Sequence, residues 1–190
     1  MQTDALLRPA RIFSRAEVLA TPCPVAGTRG AYAWWFRTVP DGVPTDGCLL
    51  HEGHTLLYVG ISPHSDQSDG TLRKRICRSH FKGNASGSTL RLSLGVLLGK
   101  SSGYPLRRTG SGERITLTPP GELWLNDWMA ENALVSWVED PTPWLLEHTL
   151  LASLSVPLNV QGNAHHPYSA RLSALRIQAK QEARRAPVFA

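Results

Sequence analysis

Cysteine is scarce in this chain, and long apolar runs are absent. Cys23, Cys48 and Cys77 are the only three; they lie far apart and are never spaced Cys-x-x-Cys, which argues against a disulfide framework or a structural zinc site. No apolar run approaches the roughly 18 residues of a membrane span, and no charged stretch followed by an apolar one opens the sequence. A soluble, cytoplasmic protein without membrane contact is expected. No helix-turn-helix or zinc-finger pattern supplies a separate reader of nucleic acid. Two catalytic motifs are approached but not reached. Only three residues separate Gly95 from Gly99-Lys100-Ser101 where a phosphate-binding loop needs four, and the histidines of His51-Glu52-Gly53-His54 are one residue too close for a zinc protease.

What is present is enough for one core. With 190 residues, 42% of them apolar, the chain suits a single domain, and its net charge of +5 favours a polyanionic partner through counterion release. Residues 1–29 read as a lead-in, in which Ser14-Arg15-Ala16-Glu17 is a capping box for a short helix ended by Pro22 and Pro24. Residues 30–163 form the expected domain, with insertions at 37–54 and 99–121, and residues 164–190 a basic C-terminal helix.

Two aromatic-rich runs, Gly30-Ala31-Tyr32 leading into Ala33–Phe36 and Thr55-Leu56-Leu57 leading into Tyr58-Val59-Gly60, carry the strand signal. The Gly, Pro and Asp residues between them favour an antiparallel return, which would set Tyr32 and Tyr58 side by side. Thr71 to Phe81 reads as a helix with Leu72, Ile76 and His80 on one stripe and Arg75 at its flank. Ser88 to Leu98 reads as a core helix, and Lys100 to Gly121 as a mobile basic insertion. Trp124 to Asn132 follows as a helix and Ala133 to Val138 as a third strand.

Thr142 and Pro143 open another helix, on which Glu147 shares an apolar stripe with Leu150, Leu151 and Leu154. A carboxylate there must rise in pKa, sit at the rim or bind a cation; the alternative is an exposed first-turn Glu that favours the helix dipole. The basic residues Lys74, Arg78, Lys82, Arg107 and Arg108 are candidate phosphate contacts, with a solvated basic face as the competing reading.

The order of these features, Gly-x-Tyr, Tyr-Val-Gly, a helix with Leu-x-x-Arg, then a helical Glu followed by Leu-Asn, resembles the GIY-YIG nuclease superfamily. The resemblance implies an α+β fold with a small three-stranded antiparallel sheet flanked by helices, in agreement with the element count above. It makes Tyr32, Tyr58, Arg75 and Glu147 the catalytic residues, with Gly60, His80 and Asn159 in support. Ile61 stands where some members carry a lysine. Homing members place a histidine four residues after the arginine, where this chain has Ser79 and then His80. The implied activity is endonucleolytic hydrolysis of DNA, with RNA and oligomeric state left open. Glu147 would hold Mg2+ or Mn2+ as the metal ligand, Arg75 would stabilise transition-state charge, and the two tyrosines would handle the attacking water in exchangeable roles.

Overall fold

The centre of the fold is a strand with no polar face. The structure is a computed structural model that describes residues 2–189. In it β2 (Gly30–Phe36) is buried along its whole length. Successive side chains of a strand point to opposite faces, and both faces of β2 meet apolar layers. Tyr32, Trp34 and Phe36 enter one core, and Ala31, Ala33 and Trp35 enter the other. This is why the run Gly-Ala-Tyr-Ala-Trp-Trp-Phe shows no polar alternation.

β2 is flanked by β4 (His54–Ser62) and β7 (Ala133–Glu139), both antiparallel to it. These three are the strands expected from sequence. The sheet has five strands, in the order β1-β7-β2-β4-β3, because the two-residue strands β1 (Phe13–Ser14) and β3 (Leu50–His51) extend its edges. Two residues are too few to register as a periodic pattern, so the expected count of three falls short.

The capping box at Ser14 and Glu17 forms, starting α2 (Arg15–Val18). An earlier helix, α1 (Gln2–Leu7), buries Leu6 in the same core as Ala31 and Trp35. That core is closed by α6 (Pro143–Ser153) through Leu150 and Leu151. The opposite core is closed by α2, by a π-helix at Lys74–Phe81, and by α3 (Thr89–Leu97), α5 (Pro119–Asn132) and α7 (Ser169–Arg185).

The segment expected to be a mobile insertion is a packed element. It holds α4 (Gly99–Ser102) and a hairpin of β5 (Arg107–Thr109) and β6 (Arg114–Thr116), with Leu106 and Leu117 buried on either side. Arg107 donates to the Pro187 carbonyl at 2.8 Å and Arg108 to that of Ala186 at 3.0 Å, so both tie the hairpin to the C-terminal segment. No helix among the described residues is long and apolar enough to cross a membrane.

Candidate active site

A bulge aims the second tyrosine. β2 and β4 pair Trp34 with Tyr58 and Trp35 with Leu56, leaving Leu57 as the extra residue on β4. Without it, strict alternation would send Tyr58 to the face of Leu56; with it, Leu57 and Tyr58 both enter the core that holds Tyr32. The tyrosines end diagonally placed on one face, since Tyr32 lies opposite Gly60.

Both motif glycines are there for close approach. A Cβ on Gly60 would lie 2.5 Å from the Tyr32 hydroxyl, and one on Gly30 would lie 2.1 Å from the Val138 carbonyl oxygen and 2.8 Å from the Leu72 side chain. Gly60→Ala is therefore expected to push the Tyr32 ring out of place and cost about 1–3 kcal/mol. Chemical denaturation of this variant measures that cost, and a change under about 0.5 kcal/mol would contradict the packing argument.

The π-helix resolves the position of His80. Its backbone bonds run five residues back, as from Lys82 N–H to the Cys77 carbonyl at 3.0 Å. Residues five apart thus return to one face, and Arg75 and His80 meet the same atom. Arg75 Nε donates to the Tyr32 hydroxyl at 3.3 Å, and His80 Nε2 shares a hydrogen bond with it at 2.9 Å. The extra residue that separates His80 from an α-helical spacing is absorbed by the wider turn.

Behind this triad lies a second support. His80 Nδ1 bonds Ser88 Oγ at 2.7 Å, and Ser88 caps α3 by accepting from Arg91 N–H at 3.1 Å. Arg91 is wholly buried; it pairs with Glu122 and also donates to the His80 carbonyl at 3.1 Å and to Asn126 Oδ1 at 2.9 Å. Nothing in the sequence reading singled out Arg91 or Glu122. The available signal was one arginine inside the apolar run Leu90 to Leu98.

Burial, followed by the charges of Arg75 and Arg91, holds the His80 imidazole well below its ordinary value. The unfolded chain therefore takes up a proton below pH ~6.5 that the folded chain refuses, so stability is full above that pH and falls as pH drops. The expected slope is up to about 1.4 kcal/mol per pH unit. His166, held down by partial burial and by His165, adds a contribution of the same sign. Urea melts at pH 7.5 and 5.5 should show the loss, and His80→Gln should remove most of it; an unchanged difference would mean another group titrates.

The cleft lies along the edge of β4 beyond β3, where the segment after α6 takes over the pairing. Leu158 N–H bonds the Leu57 carbonyl at 3.0 Å, while Asn159 accepts from Val59 N–H at 2.9 Å and donates to the Val59 carbonyl at 2.8 Å. Asn159 thus seals a sheet edge that would otherwise leave buried backbone groups unpaired. The cleft beside it has a volume of about 490 Å³, and its walls include Tyr58, Arg75, Thr89, Glu147 and His64.

The two tyrosines differ in access. Tyr58 lines the cleft and shares a 3.1 Å hydrogen bond with Thr89 Oγ1, whereas Tyr32 is fully buried behind it. Burial, reinforced by Tyr58, raises the Tyr32 phenol far above its ordinary value despite Arg75, so Tyr32 keeps its proton. Arg75 loses some preference for its charge by burial, but the two phenols more than restore it. Its Nη1 is held by the Gly87 carbonyl at 3.2 Å.

Glu147 is half-buried and makes no hydrogen bond or ion pair among the described residues. Burial raises its pKa, and His64 alone opposes this. Among the described residues no group of three or more His, Cys, Asp or Glu side chains is gathered for a metal. An unpaired, desolvated carboxylate fits a divalent cation whose other ligands are water and substrate phosphate. Of the other sequence-selected residues, Gly60 and Asn159 lie at the site. Lys74 pairs with Asp69 at 2.8 Å, and Lys74, Arg78, Lys82, Arg107 and Arg108 do not line the cleft.

The neighbouring depression with Ser155 and His166 is no hydrolytic pair. His166 Nδ1 accepts from Tyr168 N–H at 3.1 Å, so its Nε2 carries the proton toward Ser155 and has no lone pair with which to deprotonate it.

A mixed sheet-and-helix domain thus brings one tyrosine, an arginine and a lone carboxylate to one cleft, with a second tyrosine sealed behind it. A family model described as the GIY-YIG catalytic domain matches residues 30–178. The chain belongs to the GIY-YIG nuclease superfamily. No curated protein and no solved structure gave a match.

Proposed function

We propose that this protein is a metal-dependent endonuclease that hydrolyses phosphodiester bonds in DNA. The reading rests on one observation above the others: Tyr58, Arg75 and an unpaired, half-buried Glu147 face a single cleft. Glu147 would hold Mg2+ or Mn2+ by its carboxylate, and the bound ion would supply Lewis-acid stabilisation of phosphate charge and of the leaving oxygen.

The chain's own residues would do the rest. Tyr58, the tyrosine with access to the cleft, orients the attacking water and, as phenolate, takes its proton while the new P–O bond forms. Arg75 lies beside it to offset that negative charge and the charge that grows on the phosphate oxygens. Tyr32 keeps its proton and, held by His80, fixes the Arg75 side chain at the mouth of the cleft. The bond to the leaving oxygen breaks and that oxygen takes a proton from solvent water, giving a phosphate monoester and a hydroxyl.

The test is cleavage of supercoiled plasmid and branched DNA with Mg2+ or Mn2+, beside an EDTA control, an RNA substrate and Tyr58→Phe. Metal-dependent nicking that falls about 10²–10⁴-fold in Tyr58→Phe supports the proposal. Salt-sensitive DNA binding without cutting would replace it with a noncatalytic binding module.

A further inference from the structure

The C-terminal helix presents two faces. Leu172, Ala179 and Ala183 dock it on the core, while Ser173, Arg176, Ile177 and Lys180, at i, i+3, i+4 and i+7, line the cleft that holds Tyr58 and Glu147. We propose that Arg176 and Lys180 form a phosphate-binding arm that grips the nucleic-acid backbone beside the phosphate being cut. The proposal rests on the nuclease reading above and names the part of the substrate that the helix would contact.

Arg176 is the main evidence. Its side chain is half-buried, yet it makes no hydrogen bond or ion pair among the described residues. A cation taken partly out of water without a counter-charge is destabilising, unless an anion arrives to pair with it. Glu147 is not that anion, because only burial and His64 act on its carboxylate. Burial works against the Arg176 charge and the only compensation comes from the Tyr58 phenol, which places the guanidinium near the residue assigned to the attacking water.

The charge balance of the cleft points the same way. Arg75, Arg176 and Lys180 face it against Glu147 as the only carboxylate among the described residues that line it, and a metal on Glu147 would add to the excess. Such a cleft attracts a polyanion and repels a cationic ligand. The spacing also fits. Arg176 and Lys180 are one helical turn apart, about 6 Å of rise, and phosphates of one strand follow each other about 3.4 Å apart along the duplex axis. An offset of about 6 Å lies between one and two phosphate steps, so two long side chains reach phosphates one or two apart on a strand, Arg as a planar fork and Lys as a point charge.

The experiment measures binding in EDTA, so that it does not depend on catalysis. A fluorescent 20-base-pair duplex would be titrated at several salt concentrations with wild type, Arg176→Gln, Arg176→Lys, Lys180→Gln and the double Gln variant. Arg171→Gln, at an exposed position outside the cleft, is the control. The slope of log affinity against log salt should shrink by about 0.9 for each single Gln variant and by about 1.8 for the double, with Arg176→Lys and the control close to wild type. Wild-type binding with unchanged slopes in all variants would overturn the arm and leave the nuclease proposal standing. Failure of the wild type to bind duplex at low salt would also overturn the arm, while the nuclease proposal is decided separately by the metal-dependent cleavage of plasmid and branched DNA. Circular dichroism melts establish that the variants fold.

Discussion

Glu147→Gln is expected to lower plasmid cleavage by at least about 10³-fold while leaving the protein as stable as wild type or slightly more so. A bound divalent cation contributes several kcal/mol to stabilising the transition-state charge, and about 4 kcal/mol corresponds to a thousandfold in rate. The Glu147 carboxylate is half-buried and unpaired, so its ionised form strains the fold when no metal is bound. Glutamine keeps the shape and removes the charge. Loss of activity with no loss of stability is the signature of a residue kept for chemistry. A second readout does not need turnover: Mn2+ should raise the melting temperature of wild type by mass action and leave Glu147→Gln unmoved. Cleavage within tenfold of wild type, or an equal thermal response to Mn2+, would remove Glu147 from the metal site.

The largest expected effect on stability lies away from the cleft. Arg91→Met should destabilise by about 3–5 kcal/mol, because it leaves Glu122 as a charge without its cation in a largely buried place. For a domain of this size that is a fall of about 6–20 °C in melting temperature. Glu122 keeps its bonds from Ala85 N–H at 2.9 Å and Thr116 Oγ1 at 2.7 Å, which hold the carboxylate where the guanidinium was. Adding Glu122→Gln to Arg91→Met should recover part of the loss, since the amide oxygen still accepts from Ala85 and Thr116 but no orphaned charge remains. If the double variant is no more stable than the single one, the damage comes from the lost bonds to the His80 carbonyl and Asn126 and not from the orphaned charge. Activity should fall in Arg91→Met as well, through the lost guanidinium bond to the His80 carbonyl.

Several features of the site were legible because they depend on local chemistry. The aromatic and glycine pattern of Gly30–Phe36 and Thr55–Gly60 marks two strands, and the turn residues between them mark an antiparallel return. Thr142 and Pro143 mark the start of α6, and with it the turn that carries Glu147. His80 falls one place later than the histidine of homing members, and the wider repeat of the π-helix brings it back beside Arg75. The insertion at 99–121 looked mobile because Gly, Ser and Arg dominate it, yet its few apolar residues pack and its arginines bond the C-terminal carbonyls.

By itself the sequence determined the three long strands, the antiparallel return between the first two and, through the family resemblance, which side chains are proposed to cleave phosphodiesters. All of these depend on residue type and short-range spacing. Only the tertiary structure decided that Tyr58 has access to the cleft while Tyr32 is sealed behind it, that Arg75 and His80 meet on one hydroxyl, that Asn159 closes the β4 edge, and that Arg176 enters the cleft from α7. Each of these turns on one extra residue in a strand or helix, or on a contact between elements distant in sequence. A bulge or a π-turn reverses which face a side chain occupies without changing composition, and a cation becomes unpaired only when packing places it where no carboxylate reaches.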